Sequence, residues 1–356
     1  MALERIERHT DMTQTGHQAN HPLVSVCMLC YNQEQYITEA VEGMLAQTYS
    51  PLEIIISDDC STDRTWEILQ KIKDNYTGQH QLAIHRNEKN LRIIRNLCTA
   101  FHLAHGELVI KADGDDISMP NRVEKMVEHW LSTNKEAWCL CSAYQKISVE
   151  GDIIGHQSVP FTGLDTRSIR DICFGNGYFY LGAASSYRRD VIVHFPTADY
   201  ERACDDSVFT VRCAMLGKLY VIGDELIKYR IGCGETTNRT NYRKTMAKGI
   251  TYCAVSQQQL LLDLERIKER LSPDDYRQFR ESLESFYQHC QEVLKLYNGR
   301  TFRERLIGAR EARCGKTFSI YNLIVHIMLL PPALADFCFA VLGRLQKILK
   351  RKAKPS

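Results

Sequence analysis

At 356 residues, 44% hydrophobic and 25% charged, the chain is long enough for one large domain and an accessory region. A formal net charge of +2 removes any whole-chain electrostatic case for nucleic acid as a partner. Of fourteen cysteines, Cys27 and Cys30 lie in or just after one apolar run and Cys139 and Cys141 in another; no pair of CxxC motifs completes a zinc site, so the reading is reduced, mostly buried thiols in a cytosolic compartment.

Residues 1–21 are polar, carry no apolar signal-peptide core, and are expected to form a mobile arm. Val24 to Leu29 then reads as a short buried strand, Cys30-Tyr31-Asn32 as a loop, and Tyr36 to Leu45 as a helix, because its apolar positions recur at helical spacing. The cycle repeats. Leu52 to Ser57 is a strand, Asp58 to Asp63 a polar turn, and Thr65 to Ile72 an amphipathic helix; Leu82 to His85 is a third strand, Arg92 to His105 a helix, and Leu108 to Ala112 a fourth strand. Alternation of this kind builds a parallel sheet whose ligands bind at the carboxyl edge.

The fourth strand runs straight into Asp113-Gly114-Asp115-Asp116. Two readings stand: an acidic turn that ends a strand, or a site for Mg²⁺ or Mn²⁺, which bind one or two protein carboxylates and take further ligands from substrate phosphates and water. Further on, Cys204-Asp205-Asp206-Ser207-Val208 opens an apolar helix with an acidic pair, and Arg212 follows six positions after the second carboxylate. A helix start favours acids through its dipole, so this pair also has a purely structural reading.

Taken in order, Val24-Ser25-Val26 leading to Tyr31-Asn32, Gln47-Thr48-Tyr49, Glu53 to Asp63, Asn90 to Asn96, Gly106-Glu107 running to Asp116, and Met119-Pro120-Asn121-Arg122 resemble glycosyltransferase family 2. The likeness is strong over residues 22–130, weaker to about 235, and absent beyond. It implies an α/β fold of the GT-A type, a Rossmann-like nucleotide-binding domain with a mostly parallel central sheet, here followed by a helical C-terminal region. It also implies a nucleoside-diphosphate sugar donor, uridine-linked by preference, and a Mn²⁺ or Mg²⁺ cofactor.

The resemblance assigns roles residue by residue. Asp59 accepts the imide N–H of uracil and Tyr31 lies against the base. Asp115 ligates the metal directly; Asp113 serves the ribose or the metal through its water, and Asp116 has an open role. Arg92 and Arg95 either reach the diphosphate or are solvated. Asp206 is the catalytic base. The family usually carries Glu-Asp where this chain has Asp205-Asp206, which leaves the acceptor-orienting role of Asp205 in doubt. Asp58 reads as a cap for the following segment and Asp63 as the N-terminal cap of the Thr65 helix. Tyr178, Phe179 and Tyr180 stand before a small-residue turn on the acceptor side, and core packing is the preferred reading for them. Tyr229-Arg230 leads into a Gly-rich loop, and the resemblance implies that Arg230 or Thr237 touches the diphosphate. The expected reaction is metal-dependent and inverting, onto a hydroxyl of a lipid-linked or surface-glycan acceptor.

Two other readings are kept. An inactive nucleotide-sugar-binding or scaffolding subunit would share the donor motifs. A nucleotidyltransferase would show a Gly-rich basic loop after its first strand, where this chain has Cys30-Tyr31-Asn32-Gln33-Glu34. The expected organisation is an arm at 1–21, a catalytic domain at 22–240, a helical accessory region at 241–318 with a break at Ser272-Pro273, and an apolar and basic segment at 319–356. In that last segment Ile320 to Leu330 and Ala333 to Leu342 are each too short to span a bilayer and are split by Pro331-Pro332. An anchor at the inner face of the membrane is preferred over a helical pair buried on the fold.

Overall fold

The computed structural model describes residues 21–174, 179–233 and 242–298, the last span without the side chains of 242–247 and 296–298. The expected arm up to residue 20, Tyr178, the Gly234 to Thr237 loop and everything after residue 298, including the apolar and basic segment, lie outside those residues. The first half follows the alternation read from the sequence: β1 Val24–Cys30, α1 Ile37–Leu45, β2 Leu52–Asp58, α2 Thr65–Asn75, β3 Gln81–Arg86, α3 Ile93–Leu103 and β4 Leu108–Asp113. Then come β5 Ile117–Ser118, α4 Arg122–Ser132, β6 Ala137–Ile147, β7 Ile153–Gln157, β8 Gly163–Leu164, α5 Ile169–Phe174, β9 Ser185–Arg188, α6 Val191–His194, α7 Asp205–Leu216 and β10 Lys218–Arg230.

One sheet carries all these strands in the order β3-β2-β1-β4-β9-β6-β10-β5, with β7 on β6 and β8 on β10. β1, β2, β3 and β4 pair in parallel, as do β6 and β10; β9 lies antiparallel between β4 and β6. The sheet is mixed but mostly parallel, as expected. Strand side chains alternate between faces, and the core divides accordingly. Val24, Val26, Met28, Leu108, Ile110 and Ala112 pack under α1 and α4. Cys27, Leu29 and Val109 face the other way, toward α3 and α7. By the same alternation Lys111 and Asp113 share Val109's face, which brings them to α7.

The helical region is a hairpin of α8 Tyr242–Arg266 and α9 Pro273–Asn298. Its break is a capping arrangement: Ser272 Oγ accepts the Asp275 amide at 3.1 Å, and Pro273 takes the first helical position, where a missing N–H costs nothing. Every cysteine among the described residues is a free thiol, and most of them are buried.

Candidate active site

The carboxyl edge of β1, β2 and β4 collects the donor-side residues. Asp58 and Asp59 end β2 with different jobs. Asp58 is fully buried; it accepts the Ser61 amide at 3.1 Å and pairs with Arg86 at 3.3 Å, so it caps the following turn. Asp59 points toward the α3 start, where Oδ1 accepts from Asn87 Nδ2 at 2.9 Å and from the Leu91 amide at 2.8 Å, and Oδ2 from the Arg92 amide at 2.9 Å. Asn87 also donates to Asn96, which bonds Ser57 beneath it. Sequence reading missed this Asn87–Asn96 support, since a single Asn carries no pattern. Tyr31 stands exposed at the end of β1. Asp63 takes the Thr65 amide at 2.9 Å and the Glu34 amide at 3.0 Å. Burial opposes its charge, yet these bonds and the Thr65 hydroxyl hold its carboxyl below the usual range.

The two arginines expected near the diphosphate are placed differently. Arg95 Nε donates to Ala198 O at 2.9 Å and its terminal nitrogen to Asp199 O at 2.6 Å, so this side chain ties α3 to the loop before α7. Arg92 has φ 70° and ψ 161°, a region L-residues avoid, and its amide is held by Asp59 and Asn90.

The acidic turn after β4 is closely built. A Cβ on Gly114 would collide with Gln33 and crowd Cys30 and Ile37, so the turn packs directly on the β1–α1 loop. Asp116 is buried; its Oδ1 accepts the Arg230 amide at 2.8 Å and its Oδ2 has no hydrogen-bond partner among the described residues. The Cys233 thiol donates to Asp115 Oδ2 at 3.2 Å. Arg230 corrects an expectation. The residue is 4% exposed and its guanidinium donates to the carbonyls of Asp115, Ser148 and Val149 and to Glu39, so it braces the turn and is not a free cation for a diphosphate.

Opposite the turn stands the N-terminus of α7. Asp205 and Asp206 begin the helix, where its dipole favours acids. Between them and Asp113 lies a residue the sequence reading passed over: Lys111, with a side chain 2% exposed, places Nζ 3.0 Å from Asp113 Oδ2, 3.0 Å from Asp205 Oδ2 and 3.8 Å from Asp206 Oδ1. Burial disfavours its charge, but the three carboxylates outweigh that and hold its pKa well above the ordinary lysine value. Asp206 accepts the Gly182 amide, and a Cβ at residue 182 would strike its Oδ1. Burial, then the charge of Asp205, push the Asp206 carboxyl up to about 8 against the pull of Lys111. Arg122 ties the assembly together, donating to Ser118 Oγ, Lys111 O and Ala183 O; burial brings its pKa down to about 10.

Charge here is unbalanced. Six carboxylates (Glu39, Asp113, Asp115, Asp116, Asp205, Asp206) meet three buried cations (Lys111, Arg122, Arg230), so negative charge is in formal excess. A divalent cation would offset much of that excess. The raised carboxyls of Asp113 and Asp116, due to burial first and neighbouring carboxylates next, express the same excess. With the orphaned Asp116 Oδ2, the donor set suits a hard cation of the Mg²⁺ or Mn²⁺ kind. Among the described residues no three acidic, Cys or His side chains form a cage by themselves, so such an ion draws ligands from a substrate as well.

A cleft of about 450 Å³ is lined by Tyr144, Val159, Pro160, Phe179 and Leu181, the last of which precedes the Gly182 that meets Asp206. Phe179 is exposed in it, whereas Tyr180 is buried with its hydroxyl donating to Asp165 at 2.9 Å. Burial, with smaller contributions from Asp206 and Asp116, pushes the Tyr144 phenol up to about 12.

Residues 25–195 match the model of glycosyl transferase family 2. An uncharacterised glycosyltransferase of Haemophilus influenzae is 32% identical over 251 residues, which is 65% of this chain and 75% of that protein. The Escherichia coli UDP-Glc:alpha-D-GlcNAc-diphosphoundecaprenol beta-1,3-glucosyltransferase WfaP is 34% identical over 133 residues, covering 37% of this chain and 49% of WfaP. Among solved structures, the mannosyltransferase PcManGT of Pyrobaculum calidifontis, in complex with GDP-Man and Mn²⁺, superposes with a TM-score of 0.53 at 15% identity over 92% of this chain and 81% of that one. The sheet, the edge site and these similarities agree: the chain is a glycosyltransferase of the GT-A fold and belongs to glycosyl transferase family 2.

Proposed function

We propose that the chain is a metal-dependent, inverting transferase that moves a sugar from a nucleoside-diphosphate donor, uridine-linked by preference, to a hydroxyl of a lipid-linked or surface-polysaccharide acceptor. One observation carries this reading: Asp113 on the acidic turn and Asp205 on the helix that also bears Asp206 share one buried ammonium at 3.0 Å each, so donor-side and acceptor-side carboxylates meet in one cleft. Asp59, already oriented by three donors, accepts the imide N–H of the base, with Tyr31 against its face. Asp115 and Asp113 hold a Mn²⁺ or Mg²⁺ ion, whose chemistry is neutralisation of the departing diphosphate. Asp206 is the base. Its side chain is 18% exposed against 8% for Asp205, and it takes the proton of the attacking hydroxyl. A single carboxylate suffices, because attack opposite the leaving group inverts the anomeric centre without a covalent intermediate. The cleft of Tyr144, Phe179 and Leu181 is where the acceptor approaches. WfaP acts on a diphosphoundecaprenol-linked acceptor, which supports the lipid-linked class, and the basic C-terminal sequence supports work at the inner face of a membrane.

The test is a panel of nucleotide sugars with and without Mn²⁺ or Mg²⁺, read by thermal shift and donor turnover, since a ligand of the native state raises its melting temperature. Uridine-linked donors should stabilise the protein only with the metal, and Asp115→Ala should weaken that binding. Equal affinity in EDTA refutes the metal role; binding without transfer or hydrolysis favours an inactive binding subunit.

A further inference from the structure

We propose that Lys111 is a positioning residue that divides the labour of the two neighbouring carboxylates: it holds Asp205 as a charge-paired strut, leaves Asp206 to meet the acceptor hydroxyl, and through Asp113 fixes the α7 start against the donor-side turn. The inference rests on Asp206 being the base. Its first support is the asymmetry of the contacts. Nζ donates to Asp113 Oδ2 at 3.0 Å and stands 3.0 Å from Asp205 Oδ2 as a charge contact, but 3.8 Å from Asp206 Oδ1, which is too long for a hydrogen bond. Asp206 accepts instead from the Gly182 amide, so the ammonium is not hydrogen-bonded to the carboxylate that has to accept a proton.

The second support is how firmly the lysine is held. Its own carbonyl accepts Arg122 at 2.8 Å, and the same guanidinium donates to Ala183 O at 2.7 Å, which clamps β4 to the segment that carries Gly182. Strand alternation then sends the side chain to the α7 face, and its stem lies where water does not reach. A swing toward Asp206 would break the bridge between Asp113 and Asp205.

The third is the sequence context. Val109, Ile110 and Ala112 around it are buried apolar residues, and an apolar side chain at 111 would continue the core. An ammonium in such a place is tolerated only when paired. Its partners come from two elements, the acidic turn and α7, so what the charge adds is a fixed distance between them.

Three variants of the full chain test this: Lys111→Met, Asp205→Asn and the double variant, each read by melting temperature, kcat, donor KM and affinity for uridine diphosphate with Mn²⁺. Lys111→Met should lose both melting temperature and kcat, since it strands two buried carboxylates. In the double variant, where Asp205 is neutral and only Asp113 stays unpaired, the melting temperature should return part of the way while kcat stays roughly 30-fold or more below wild type and donor KM moves by about threefold or less. Asp205→Asn should keep the fold but lose about tenfold in kcat, because the released ammonium is drawn onto Asp206. Recovery of kcat together with stability in the double variant would show the lysine to be packing only. A change confined to donor KM would move its role to the donor, and wild-type kcat in Asp205→Asn would remove the strut. Absence of any turnover in the wild type is a separate outcome, which overturns the reading of Asp206 and this role with it.

Discussion

Asp206, the proposed base, shows how a demand placed on a side chain can conflict with folding. A carboxylate raised to about 8 carries a penalty whenever it is ionised in the folded state. The unfolded chain ionises near the ordinary value, so between there and about 8 the folded state binds more protons, and this group's contribution to stability falls as pH rises. Asp206→Asn removes the penalty. In the metal-free protein its melting temperature should exceed that of wild type at pH 8 and above, with the gap closing as pH falls toward the usual carboxylate range. Turnover of the same variant should drop by roughly 10²-fold while donor affinity is kept, the expected cost of deleting a general base. Thermal shift across pH, paired with steady-state kinetics, checks both; unchanged turnover would move the base elsewhere. Asp59, Asp113, Asp115 and Asp206 were legible because acidic residues at the ends of apolar strands and helix starts are a spaced pattern. Lys111 was not. One lysine inside Val109-Ile110-Lys111-Ala112 carries no periodic signal, and its partner Asp205 is brought to it only by the packing of α7 on β4. Arg230 was visible as a basic strand end, but whether it faced the cleft or braced the turn depended on a partner far away, Glu39.

At the scale of elements, periodicity gave β1 through β4 and the helices between them with ends displaced by a few residues, because each strand is a buried apolar run and each helix has one apolar face. The α8–α9 hairpin was legible for the same reason, with Ser272-Pro273 as punctuation. What stayed hidden is short. β5 and β8 are two residues each, and β9, Ser185–Arg188, is a small-residue strand whose antiparallel place between β4 and β6 is set by its neighbours. Hidden too was the polar seam that joins the hairpin to α7. Arg212 of α7 and Asp263 of α8 are both inaccessible and paired at 2.8 Å, Gln259 and Arg266 add donors to the same carboxylate, and Ser256 Oγ accepts the Cys204 amide just before Asp205. Deleting one partner of a buried pair strands the other's charge. Asp263→Ala should therefore lose about 3–5 kcal/mol of unfolding free energy, and kcat should fall with it because the α7 start loses its anchor. Urea denaturation gives the first number; a loss below about 1 kcal/mol would place the pair among weak surface bridges.

Across the whole molecule, the net charge of +2 conceals two opposite local excesses: a cleft with more carboxylates than cations, and a C-terminal sequence in which Arg344, Lys347, Lys350, Arg351, Lys352 and Lys354 follow two apolar runs. Among the described residues no helix is long and apolar enough to cross a membrane. The C-terminal sequence lies outside them, so its role is argued from composition. On the proposed reading, the apolar runs on either side of Pro331-Pro332 would bury area in a lipid interface, and each basic residue near an anionic surface would add about 1 kcal/mol. The two contributions respond differently to salt, which screens the second and leaves the first. Full-length protein should thus float with anionic vesicles at low salt and partly release as salt rises. A chain cut after Thr317 should stay with the soluble fraction at every salt concentration yet keep donor hydrolysis, because each residue proposed for catalysis or donor binding lies at or before Thr237. If the full chain does not float at low salt, the two apolar runs pack on the protein instead, and truncation should then lower the melting temperature.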